Sequence, residues 1–188
     1  LWLGGLISLA GDWVLLIGLP IYVFLLTHSV LATGLMLLAG RVPAVIVGSV
    51  AGIFVDRWDR RTTMVAANIA LALALLPLLL VRSVERIWIV YAVSALEATL
   101  DQFVTPAQNA LIPALVPEEQ LVEANSLNSL ASNIARLGGP ALGGVIAALW
   151  GLGGIVLGDA VSFAAAALLF IAISARRARA ADEPLAHD

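Results

Sequence analysis

The chain has 188 residues, of which 61% are hydrophobic and only 12% charged, with a net charge of −3 and a mean hydropathy of +1.01. Soluble domains carry about twice that share of charge, so the composition excludes a soluble globular domain, and no basic face supports nucleic-acid binding. With no cysteine and only two histidines, His28 and His187, far apart in sequence, there is neither a disulfide framework nor a thiolate or imidazole metal site, so no metal and no cofactor are expected.

A helix needs about 20 apolar residues to cross the hydrocarbon core of a bilayer. Six stretches satisfy this: Trp2–Leu26, Leu31–Val55, Thr63–Val81, Trp88–Leu111, Leu121–Trp150 and Leu152–Ser174. Alternating their direction places Arg57, Arg60, Arg61, Arg176, Arg177 and Arg179 on one side and only Arg82 and Arg86 on the other. The positive-inside rule then puts both termini in the cytoplasm, in a multi-pass protein of the plasma (inner) membrane. Residues 1–174 are expected to form the membrane bundle and residues 175–188 to begin a polar cytoplasmic linker. The chain starts on Leu1 inside an apolar helix and ends in a polar run, which reads as a piece of a longer protein. The surface arginines are expected to meet membrane lipids.

The first segment contains Gly11-Asp12-Trp13. At 1.5 Å per residue, Asp12 lies on the order of 16 Å from the start of the helix, near the midplane. The second segment runs back and carries Arg41 to similar depth. Charges at that depth are costly and face the bundle interior, so Asp12 and Arg41 form either a structural ion pair or part of a proton or substrate site.

Between the second and third segments lies Gly48–Arg61, GSVAGIFVDRWDRR. Asp56, Arg57, Asp59, Arg60 and Arg61 cannot sit in hydrocarbon, whereas their flanks can hardly sit elsewhere, so this is a charged turn at the membrane surface. The third segment is uniformly apolar, with Pro77 near its outer end. The fourth holds Glu97 and Asp101, four residues apart on one helical face, which is expected to line a wet cavity.

The fifth segment opens with Pro117-Glu118-Glu119, as capping preference and the helix dipole favour. It continues with a recurring polar set that includes Asn133 and Arg136, and then Gly139-Pro140-x-x-Gly143-Gly144. Glycines at this spacing let another helix approach closely, while Pro140 frees a carbonyl and permits a bend. The sixth segment carries Asp159 in LGDAVSF.

Gly52-x-x-x-Asp56-Arg57-x-Asp59-Arg60-Arg61 resembles the signature loop between helices 2 and 3 of the major facilitator superfamily, with Asp59 where the general pattern has glycine. The GPxxGG run resembles the core of that superfamily's antiporter motif in helix 5. Together with GDW in helix 1 and PAQNALIPALVPEEQLVEANSL between helices 4 and 5, the order of features is similar to the N-terminal half of the enterobactin-exporter-like branch. The resemblance implies an all-α membrane protein, six helices forming half of a twelve-helix fold, each half made of two inverted three-helix repeats. It implies no enzyme but a transporter that exports siderophore- or drug-like small molecules by alternating access, coupled to proton entry. Gly52, Asp56, Arg57, Arg60 and Arg61 would then gate the cytoplasmic side. Asp12, Arg41, Glu97, Asp101, Asn133 and Arg136 would serve coupling or the substrate cavity. Gly139, Pro140, Gly143 and Gly144 would pack helices, and a C-terminal six-helix half would be the missing partner. The alternatives are a self-contained six-helix transporter acting as a dimer and a non-transport membrane scaffold.

Overall fold

The protein is represented by a computed structural model that describes residues 2–55 and 58–181. Within these, four helices precede one long helical stretch: α1 (Trp2–Thr27), α2 (Val30–Val55), α3 (Arg60–Leu75), α4 (Ile87–Leu115) and then Leu121–Ala181. A straight helix of 61 residues would run on the order of 90 Å, about three times the hydrocarbon thickness. It does not run straight, because Gly151 leaves helical geometry at φ 61° and ψ −155°, a region that essentially only glycine occupies. The chain folds back there: a Cβ placed on Gly154 would meet Ile146 at 3.2 Å, eight residues away, which a continuous helix would hold about 12 Å apart. The stretch is therefore two helices, α5 (residues 121–150) and α6 (residues 152–181).

The turns follow local chemistry. His28, at φ 49°, ends α1 with its N–H on the Phe24 carbonyl at 2.8 Å, and the Ser29 hydroxyl then accepts from Ala32 N–H to open α2. Asp59 caps α3, its carboxylate accepting from Thr62 N–H at 2.8 Å and from the Thr62 hydroxyl at 2.7 Å. The aspartate that departs from the signature pattern thus supplies an N-cap, a contact typically worth about 1 kcal/mol against alanine.

Two boundaries differ most from the sequence expectation. The third segment leaves α-helix at Leu75 and continues as a 3-10 turn, Leu76–Leu80. Pro77 lacks an N–H and its ring crowds the carbonyl four residues earlier, which ends the α-helical ladder. At the other end of the chain α6 continues through Ala181, seven residues beyond the expected linker boundary at Ser174.

Among the described residues, four stretches are long and apolar enough to cross a membrane, Val30–Gly48, Thr62–Leu80, Val84–Ala107 and Glu118–Ala172, the last holding two helices, and α1 contributes the apolar stretch Gly11–Thr27. The main core joins Leu15, Leu19 and Val23 of α1 to Leu71 and Leu75 of α3, Val90 and Val93 of α4 and Ile155, Val156 and Phe163 of α6. A second cluster joins Met64, Ala107, Ala166 and Phe170. α2 packs on α4, and α1 packs on α5 and α6. Exchanging helices 1–3 with 4–6 turns the α2–α4 contact into the α5–α1 contact, as expected of two related three-helix repeats. The fold is an all-α membrane bundle built as one such half.

Candidate functional site

Asp12 projects from α1, Arg41 from α2, and Glu97 and Asp101 from one face of α4, Arg41 and Asp101 being exposed. All four line a cavity of about 280 Å³, whose lining also includes Leu71 and Phe163. Asp101 stands at the exposed margin, while Asp12 and Glu97 are half-buried.

The structure adds a group that the sequence reading gave no role. Asp159 of α6 is completely buried. One carboxylate oxygen of Asp12, Glu97 and Asp159 each lie within 4.8 Å of one another. The Ser162 hydroxyl, 2.7 Å from the Asp159 backbone carbonyl, is also 3.2 Å from Asp159 Oδ1. Asp159 Oδ2 has no hydrogen-bond partner. The approach of α6 to α1 depends on Gly11, since a Cβ there would collide with Asp159 Oδ1 and Ser162 Oγ. A carboxylate in an apolar run is itself a signal, because such groups are rare at depth and turn inward. What no sequence signal supplied was the identity of its neighbours.

The remaining predicted residues are distributed differently. Asp12 and Arg41 share the cavity, but their carboxylate and guanidinium do not close to within 4.0 Å. Arg136 and Asn133 are exposed on α5 and pair with each other, Arg136 Nη2 donating to Asn133 Oδ1 at 3.3 Å. Neither lines the cavity. Elsewhere on α5, Ser126 and Ser132 donate to the carbonyls four residues back, which satisfies part of the polar stripe within the helix.

In the GPxxGG run, a Cβ on Gly143 would lie 2.9 Å from Val14 Cα and 3.2 Å from the Val14 carbonyl oxygen. A Cβ on Gly144 would meet nothing within 4 Å. Gly139 is buried, and Pro140 lies inside the helix. Of the signature loop, Asp56 and Arg57 lie outside the described residues, as do the side chains of Gly52, Arg60 and Arg61.

The family description of the Major Facilitator Superfamily matches residues 1–187. The chain belongs to the Major Facilitator Superfamily. Among curated relatives, it is 29% identical to the uncharacterized MFS-type transporter YfiS of Bacillus subtilis, over 87% of this chain and 39% of that protein. It is 30% identical to macrolide efflux protein A of Streptococcus pyogenes, over 85% of this chain and 40% of the relative. It is also 29% identical to the staphyloferrin A transporter of Staphylococcus aureus, over 85% and 41%. No solved structure matches the chain. The chain thus spans about two fifths of the length of these relatives. As a superfamily member it is a multi-pass membrane protein, with efflux proteins among its relatives.

Proposed function

We propose that this chain is the N-terminal six-helix half of an exporter of siderophore- or drug-like molecules, working by alternating access and driven by proton entry. The observation that carries the reading is the interior cavity, where Asp12, Glu97 and Asp101 meet Arg41 inside an otherwise apolar bundle. Charges are held at such depth for substrate or ion movement, and the relatives named for macrolide efflux and staphyloferrin transport support a bulky organic cargo. Asp12 is the proton-linked group in this reading, and Arg41 is the positive charge of the same cavity. The signature loop acts as the cytoplasmic gate. Asp56 holds the closure against the other half of the protein and so favours the outward-facing state.

Energised cells expressing the whole protein should export a panel of apolar and siderophore-like compounds, and a protonophore should stop that export. Asp56→Asn should reduce export several-fold without lowering the amount of protein in the membrane. Export that is indifferent to the protonophore would remove proton coupling, and unchanged export by Asp56→Asn would reduce the loop to a topology signal.

In this reading both termini are cytoplasmic, which the arginine asymmetry of the sequence supports. Glu85 and Glu118 are exposed at opposite ends of the bundle. Single cysteines at these positions in the cysteine-free sequence should react from opposite sides of intact cells, Glu85→Cys from outside. Labelling of both from the same side would invalidate the topology.

A further inference from the structure

The absence of a metal site was expected from the scarcity of histidine and the lack of cysteine, but hard cations bind oxygen and need neither. We infer that Asp12, Glu97 and Asp159 form a binding site for a calcium-sized divalent cation inside the bundle, where α1, α4 and α6 meet.

Three observations carry this. The first is spacing: carboxylate oxygens that all lie within 4.8 Å of one another can share one central ion, and three side chains from three separate helices suit calcium, which takes oxygen ligands in adaptable geometry, better than magnesium, which demands a near-ideal octahedron. The second is an open valence. Asp159 is completely buried, yet its Oδ2 receives no hydrogen bond. Such a group costs several kcal/mol unless something satisfies it, and here it belongs to the carboxylate that closes the ring.

The third is charge. Three ionised carboxylates sum to −3. One divalent cation reduces this to −1, and Arg41, on the wall of the same cavity, supplies the remaining positive charge. Since Arg41 forms no ion pair within 4.0 Å among the described residues, it does not occupy the place between the three carboxylates. Asp101 lies at the exposed margin of the cavity and gives the ion an acidic entrance. Gly11 adds a steric condition, because any side chain there would push Asp159 and Ser162 off α1 and open the ring. Protons compete for the same oxygens, so the cation and a proton exclude one another at this site.

The inference concerns occupancy and stands whether or not Asp12 carries a transported proton. Trp13 lines the cavity beside Asp12 and provides the probe. The whole protein, purified in detergent after chelation, is titrated with calcium chloride at fixed ionic strength while tryptophan emission is followed, and equilibrium dialysis with radioactive calcium supplies the stoichiometry. One saturable site is expected, at least tenfold weaker for magnesium. Asp12→Asn, Glu97→Gln and Asp159→Asn should each weaken it at least tenfold. Asp159→Asn could disturb the core, so Glu97→Gln, at a half-buried position, keeps the test decisive if that variant misfolds. No saturable binding by the parent overturns the site. So does binding that survives in Asp12→Asn/Glu97→Gln, which would assign calcium to surface acids such as Glu118 and Glu119.

Discussion

Replacing Gly143 with leucine should leave little folded protein, whereas Gly144→Ala next to it should be nearly silent. The two glycines look equivalent in the sequence, but their surroundings are opposite. At Gly143 a Cβ would already sit 2.9 Å from Val14 Cα and 3.2 Å from the Val14 carbonyl oxygen. These are backbone atoms of α1 and cannot rotate away. Overpacking by even a few methylenes costs about 1–3 kcal/mol where side chains can adjust, and here they cannot, so the helices must separate. Separation would also pull α1 from α6, where Leu15 and Leu19 pack with Ile155 and Phe163. Leu142→Ala is the control of opposite sense, since Leu142 is 56% exposed on the bundle and its truncation opens no internal cavity. In detergent extracts, the monodisperse fraction of Gly143→Leu should fall at least fivefold below the parent, with Leu142→Ala and Gly144→Ala close to it. Equal, mild losses in all three would mean that α1 and α5 do not meet through Gly143.

The second large effect is expected at Asp12. In the purified whole protein, Asp12→Asn should abolish the proton release that substrate binding induces, and it should lower transport by an order of magnitude or more. Two carboxylate charges 4.8 Å apart repel by about 3 kcal/mol at an effective dielectric constant near 20. Asp12, Glu97 and Asp159 therefore need positive charge close by, and its arrival or departure is coupled to any movement of α1, α4 and α6. Asp12 and Glu97 both belong to the ring and line the cavity with Arg41, and Asp12, on the helix that packs against both α5 and α6, is the one assigned the proton. A proton lost from Asp12 changes the charge balance of the ring and of the cavity. Glu97→Gln should weaken the release, because Glu97 sits in the ring. Asp101→Asn should change it least, because its carboxylate stands at the exposed margin. Parent-like release from Asp12→Asn would defeat the assignment, and a larger loss in Asp101→Asn would move the proton site toward the mouth of the cavity.

Much of the architecture was legible in the residues themselves. Apolar run lengths marked the crossings, and charged or Gly- and Pro-bearing stretches marked the turns between them. The reason is that the bilayer imposes a length and a polarity on each segment separately, so these properties can be read one segment at a time. The Gly151 corner and the capped start of α3 are local in the same sense, because one residue's backbone freedom or one carboxylate's reach decides them.

Which charged groups meet was decided only by the tertiary structure. Asp12 and Arg41 looked like partners because adjacent helices brought them to one depth. The bundle instead gathers Asp12 with Glu97 and Asp159, while Arg41 lines the same cavity without an ion pair to Asp12. Asn133 and Arg136, read as cavity residues, pair with each other on an exposed face of α5. A helix that is apolar all round carries little periodicity to say which face turns inward, and depth along a helix says nothing about rotation around it. Asp159 lies 147 positions beyond Asp12 in the chain, and their approach rests on α6 folding back at Gly151 and on Gly11 leaving room for it. The sequence by itself determined how many times the chain crosses and where it turns. Helix rotation and close approach at single glycines, set by packing among all six helices at once, determined which acids share a site.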